Sequence, residues 1–154
     1  MKFSKTIAVF AFAVLFALTG CSSNSKAKKV KGPGDLDPIE FKKMMDNNEF
    51  TAIDVRKFEE RYSDNIFPDL NRPYGFIPNT PLNIDWKSSD FESKVAKLDK
   101  NKPYGLYCRS GHRSGLAKKK MESMGFKHVY NLFGGMKAWL KAGLPNEVLP
   151  KPAN

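Results

Sequence analysis

The stretch Tyr104-Gly105-Leu106-Tyr107-Cys108-Arg109-Ser110-Gly111-His112-Arg113-Ser114-Gly115 decides the reading of this 154-residue chain. Leu106 and Tyr107 end a short apolar run that reads as a buried strand. Ser114 to Met124 reads as a helix with Ala117, Met121 and Met124 on one face. Cys108 therefore stands where a strand hands over to a helix N-terminus. Backbone N–H groups without helical partners and the positive end of the helix dipole converge there, which suits an anion. Arg109 and Arg113 add two permanent positive charges. Thiols in such surroundings have pKa values of roughly 3.5–7.5, against about 8.5 for free cysteine, so the loop is suited to hold a thiolate nucleophile. The competing reading makes Cys108 a small buried hydrophobe, as many free cysteines are. Two arginines, two serines and a glycine among the next six residues weigh against it. His112 either relays a proton or caps the loop, and capping is the commoner role.

Residues 1–20 read as a targeting segment. Lys2 and Lys5 give a basic start, and Ile7 to Leu18 is an apolar run shorter than the ~20 residues a bilayer span requires. Leu18-Thr19-Gly20-Cys21 then resembles a bacterial lipobox, which implies cleavage before Cys21 and lipidation of that residue. An ordinary secretory signal or a retained anchor are the competing readings. The chain has two cysteines, so a lipidated Cys21 leaves Cys108 without an intramolecular partner outside the cytoplasm, where disulfides otherwise form. Residues 21–35 read as a flexible basic tether rich in Ser, Asn, Lys, Gly and Pro, whose lysines suit either anionic headgroups or simple solubility. The expected location is exported and lipid-anchored, facing the periplasm or the cell exterior, at the cell membrane or an outer membrane.

Residues 36–150 are long enough for one core. Asp37-Pro38-Ile39-Glu40 combines an N-cap, a proline at the first helical position and a glutamate at the third, predicting a helix to about Asn47. Thr51 to Val55 predicts a buried strand and Phe58 to Tyr62 a short helix. Pro68, Pro73 and Pro78 break up residues 63–79. Leu82-Asn83-Ile84 predicts a short strand, and Ser89 to Glu92 a capping box opening a helix with Phe91, Val95 and Leu98 inward. Gly125 ends the helix after the cysteine loop, and His128 to Leu132 is the next strand. Gly134-Gly135 turns into a last helix bearing Met136, Trp139 and Leu140, stopped by Gly143 and Pro145. Strands alternating with helices predict an α/β fold, a parallel sheet with helices on both faces. Ligands of such sheets bind beyond the carboxyl ends of the strands, where Cys108 lies.

Three segments in order carry a family resemblance: Ile53-Asp54-Val55-Arg56, Cys108 to Ser114, and Asn131-Leu132-Phe133-Gly134-Gly135-Met136-Lys137-Ala138-Trp139. The region from about Leu36 to Pro145 resembles a single-domain rhodanese, a sulfurtransferase. The resemblance implies a rhodanese-like fold without cofactor or metal, and transfer of a sulfane sulfur through a persulfide on Cys108. Arg109, Ser110, Gly111, His112, Arg113 and Ser114 become the substrate-binding loop, its N–H groups holding the persulfide charge and its arginines orienting the donor. Asp54 and Arg56 act in support, in the site or by bracing strand and loop ends. An arginine in the second loop position resembles thiosulfate-type loops, so thiosulfate is the expected donor and a thiol or cyanide the acceptor. The family's Gly-His-Ile-Pro-Gly-Ala segment stands here as Gly75-Phe76-Ile77-Pro78-Asn79-Thr80, after extra residues around Asn65 to Tyr74, which implies an altered rim.

Two other functions use similar parts. A cysteine phosphatase or arsenate reductase places arginine six positions after its cysteine, where this chain has Ser114. A lipid-tethered sensor or sulfur-binding module would need the same activated thiol without turnover. Cys108, His112 and His128 are too few for a metal site. The net charge of +10, which falls by two when Lys2 and Lys5 leave with the signal, suits anionic donors or an acidic membrane surface. Nucleic acid is not an expected partner of an exported protein, and a monomer is expected.

Overall fold

The structure, a computed structural model, describes residues 31–153. The signal segment, Cys21 and the lysines at 26, 28 and 29 lie outside the described residues. No helix among the described residues is long and apolar enough to cross a membrane.

Strand β1 (Asp35–Leu36) is followed by helix α1 (Pro38–Asp46). The Asp37 carboxylate accepts from the Ile39 and Glu40 N–H groups, and Glu40 accepts in return from the Asp37 N–H, so the expected capping box is formed. Strand β2 (Thr51–Asp54) leads into a 3-10 turn at Phe58–Arg61, then a hairpin of β3 (Ile66–Phe67) and β4 (Arg72–Pro73). Strand β5 (Leu82–Asn83), helix α2 (Phe91–Val95), strand β6 (Tyr104–Tyr107), helix α3 (His112–Ser123), strand β7 (Val129–Leu132) and helix α4 (Gly135–Lys141) complete the chain.

Five strands form one parallel sheet in the order β1-β7-β6-β2-β5. Alternate residues of the strands feed two cores, as a sheet covered on both faces requires. On one side Ile53, Val55, Leu106 and Cys108 pack with Phe91 and Val95 of α2 and Ala117 and Met121 of α3. On the other, Ala52, Tyr107 and Leu132 pack with Phe41 of α1 and Met136, Trp139 and Leu140 of α4. Gly105 is required on that second face: a Cβ there would lie 2.3 Å from the Phe50 ring, which covers the strand in its place.

Several local details differ from expectation. Helix α3 begins at His112 rather than Ser114, because Gly111 takes a left-handed conformation (φ 78°) and starts the helix directly after the loop. The capping box at Ser89 is absent: Asp90 occupies the N-cap without a cap hydrogen bond, and its carboxylate pairs with Lys94. Residues 63–79 do contain structure. Asn71, left-handed at φ 45°, turns the β3–β4 hairpin, and buried Phe67 stacks on Tyr74 and lies beneath the ammonium groups of Lys137 and Lys141. The C-terminal segment clamps this region through paired backbone bonds between Phe76 and Glu147 and between Arg61, Ser63 and Leu149.

Candidate active site

Cys108 follows β6 at the carboxyl edge of the sheet, with its thiol beneath the loop and only 1 % exposed. The Ser114 hydroxyl, on the first turn of α3, lies 3.4 Å from Sγ. The loop carbonyls are tied down on the opposite side. The N–H of Met136 donates to the carbonyl of Cys108 at 2.9 Å, and the N–H of Lys137 donates to that of Arg109 at 3.0 Å. The Asn131 side-chain amide donates to the carbonyl of Gly111 at 3.5 Å. In a planar trans peptide the N–H points opposite to the C=O. Holding these three carbonyls outward therefore turns the N–H groups of Arg109, Ser110 and His112 to the concave side of the loop. Such a cluster of N–H dipoles at a helix start stabilises negative charge.

The Gly134-Gly135 pair makes this approach possible. At Gly135 (φ 58°) a Cβ would lie 2.3 Å from the Cys108 carbonyl and 2.7 Å from the Gly111 nitrogen. Only glycine lets the start of α4 lie against the loop.

The two loop arginines have different surroundings. Arg113 makes a two-pronged ion pair with Glu60, at 2.6 and 2.8 Å. Burial alone would raise the Glu60 pKa, but the bond to Arg113 and the charges of Arg113 and Arg56 outweigh it and hold the carboxyl below its ordinary value. Arg109 is exposed and has no ion-pair partner among the described residues. Its side chain lines a cleft of about 680 Å³ above the loop together with Lys57, Lys87, Trp86 and Leu116. Ser110, His112 and Arg113 also line it.

Asp54 and Arg56 are both fully buried; the Arg56 guanidinium donates to the Asp54 carboxylate at 2.9 and 2.6 Å, and its backbone N–H donates to the same carboxylate at 3.1 Å. Arg56 also donates to the carbonyl of Gly75 at 2.6 Å, and Arg61 reaches Asp54 at 3.2 Å. The pair braces the segment entering residues 75–80 against the end of β2 and does not line the cleft. Beneath it, burial pushes the Tyr107 phenol well above its ordinary pKa, and that hydroxyl accepts from the Ile77 N–H and bonds Thr80.

The structure thus brings together Cys108, Arg109, Ser110, Gly111, His112, Arg113 and Ser114 at one edge. It adds Glu60, Lys57, Lys87 and Trp86, which the sequence did not single out. Glu60 and Arg113 are 53 positions apart and share no motif. Among the described residues, no three His, Cys, Asp or Glu side chains are grouped to hold a metal.

Comparison with known proteins extends this picture. YtwF of Bacillus subtilis, provisionally named a sulfurtransferase, is 38% identical over 81 residues, covering 53% of this chain and 75% of that protein. The tRNA uridine(34) hydroxylase of Pelagibacter ubique is 29% identical over 126 residues, covering 79% of this chain, yet the chain spans 36% of that protein's length. The polysulfide-sulfur transferase homodimer of Wolinella succinogenes superposes with a TM-score of 0.55 at 31% identity, covering 76% of this chain and 78% of that one. The Rhodanese-like domain family matches residues 37–142, most of the chain, from the start of α1 past α4 and including every strand of the sheet but β1. With four of its five sheet strands, its cysteine loop and its closing Gly-Gly helix inside that match, the chain belongs to the rhodanese-like domain family.

Proposed function

We propose that the protein is a sulfurtransferase that moves a sulfane sulfur from thiosulfate to a thiophilic acceptor through a persulfide on Cys108. Sulfur transfer in general is supported by its family and by relatives named as sulfurtransferases. The observation that carries the reading is the loop whose Cys108, Arg109 and Gly111 carbonyls are tied outward, leaving N–H dipoles on the sulfur side. In the first half-reaction the Cys108 thiolate attacks the outer sulfur of thiosulfate. A new S–S bond forms, the donor S–S bond breaks, and sulfite leaves with its electron pair. In the second, cyanide or a thiolate attacks the outer sulfur of the persulfide and the Cys108 thiolate leaves. Loop dipoles stabilise the anionic sulfur in both steps, and Arg109 orients the donor oxygens. Arg113, paired with Glu60, holds the loop to the 3-10 turn at Phe58–Arg61.

Polysulfide is a second donor to compare, because the Wolinella protein that shares 31% identity is named for it. Phosphatase chemistry gains no support: the position six after the cysteine is Ser114, whose hydroxyl sits against the sulfur. The basic start, apolar run and Leu18-Thr19-Gly20-Cys21 support a lipid anchor at Cys21 that holds the domain at the outer side of a membrane.

Thiocyanate production from thiosulfate and cyanide tests the reading. The expected result is turnover that Cys108→Ser abolishes; thiocyanate formation surviving that substitution would overturn it.

A further inference from the structure

We propose that Asp35, in the two-residue strand ahead of α1, is a positioning residue for the cysteine loop; this inference rests on the sulfurtransferase reading above. Asn131, 2 % exposed on β7, presents its side-chain NH2 to two acceptors: the Asp35 carboxylate at 2.7 Å and the Gly111 carbonyl at 3.5 Å. Its own Oδ1 is buried with no hydrogen-bond partner among the described residues. An amide that leaves its oxygen unpaired in order to donate both hydrogens is held in that orientation by something else.

Asp35 supplies the constraint. Reversing the amide would set Oδ1 against the Asp35 carboxylate, two acceptors at hydrogen-bond distance, and would turn an acceptor onto the Gly111 carbonyl as well. The carboxylate is itself fixed. Its second oxygen accepts from the Gly32 N–H at 2.9 Å, and β1 is laced to β7 by the Asn131 N–H to the Gly34 carbonyl and the Phe133 N–H to the Leu36 carbonyl. The chain of contacts therefore runs from the turn at residues 32–35, through Asp35 and Asn131, to Gly111. The carbonyl of Gly111 belongs to the same peptide plane as the N–H of His112, so fixing the one aims the other. By this route residues 32–35, the last of the stretch expected to be a tether, enter the loop's geometry, although they touch neither the thiol nor the cleft above it.

Asp35→Asn is close to isosteric and removes the constraint. An asparagine at 35 can donate to the Asn131 Oδ1, so the reversed amide becomes satisfied and the Gly111 carbonyl loses its side-chain donor, keeping only the Gly115 N–H at 3.2 Å along the axis of α3. The test is single-turnover persulfide formation, followed by mass, with thiosulfate as the probe on the full chain. The expected result is a roughly tenfold slower rate at saturating thiosulfate, equivalent to about 1.4 kcal/mol, with the half-saturating concentration changed less than twofold. In an Asn131→Ala background, Asp35→Asn is expected to have no further effect. If Asn131→Ala does not fold, amide hydrogen exchange at Gly111 to Gly115 supplies the readout, and faster exchange there in Asp35→Asn is expected. An unchanged Asp35→Asn rate, an undiminished loss in the Asn131→Ala background, or unaltered exchange would overturn the proposal. A wild type that forms no persulfide would instead bring down the sulfurtransferase reading as well.

Discussion

Arg109 and Arg113 flank one thiol, and their neighbours give them different work. Arg113 is tied to Glu60, whereas Arg109 faces the cleft without an ion pair among the described residues. Arg109→Ala is therefore expected to raise the thiosulfate concentration for half-saturation roughly tenfold, about 1.4 kcal/mol, with the melting temperature nearly unchanged. Equal losses of stability and activity would contradict this. Glu60 gives a pH signature. Its folded pKa lies below its ordinary value, so its contribution is present above the unfolded value near ~4.3 and is lost as pH falls through the folded one. Glu60→Gln is expected to flatten the fall of melting temperature over that acid range, and an unaltered acid limb would count against the pairing. At this scale the sequence was readable where one short segment holds the whole feature. Cys108 to Ser114 is such a segment. The partners of Arg113 and Asn131 come from residues distant in the chain, Glu60 and Asp35, and no local pattern announces them.

The elements most open to sequence reading were those with a side-chain cap or a full apolar stripe. Helix α1, opened by Asp37, Pro38 and Glu40, is one, and the alternation of strand and helix gave the parallel sheet. Strand β1 was hidden because two residues carry no periodicity, and the β3–β4 hairpin because each strand is two residues long and Pro68 and Pro73 fall within it. Helix α3 starts two residues ahead of where the side-chain pattern places it, because a left-handed Gly111, not a side chain, makes the turn. The hairpin is nonetheless packed. Phe67 is fully buried between Tyr74 and the α4 lysines, so Phe67→Ala is expected to cost about 3–5 kcal/mol in urea unfolding. A cost below about 1 kcal/mol would mean that the hairpin is not anchored there.

Across the whole molecule, the parallel sheet delivers Cys108 to one edge, α3 starts beside its sulfur, and α4 presses on the loop from behind through Gly135. The cleft above carries Lys57, Lys87 and Arg109, a positive surface that suits an anionic donor. The most direct measurement is the intact mass of the protein before and after incubation with thiosulfate, with Cys108→Ser in parallel. A gain of one sulfur atom by the wild type alone, removed by cyanide, is the predicted result. No gain, or the same gain in Cys108→Ser, would contradict persulfide transfer at this loop.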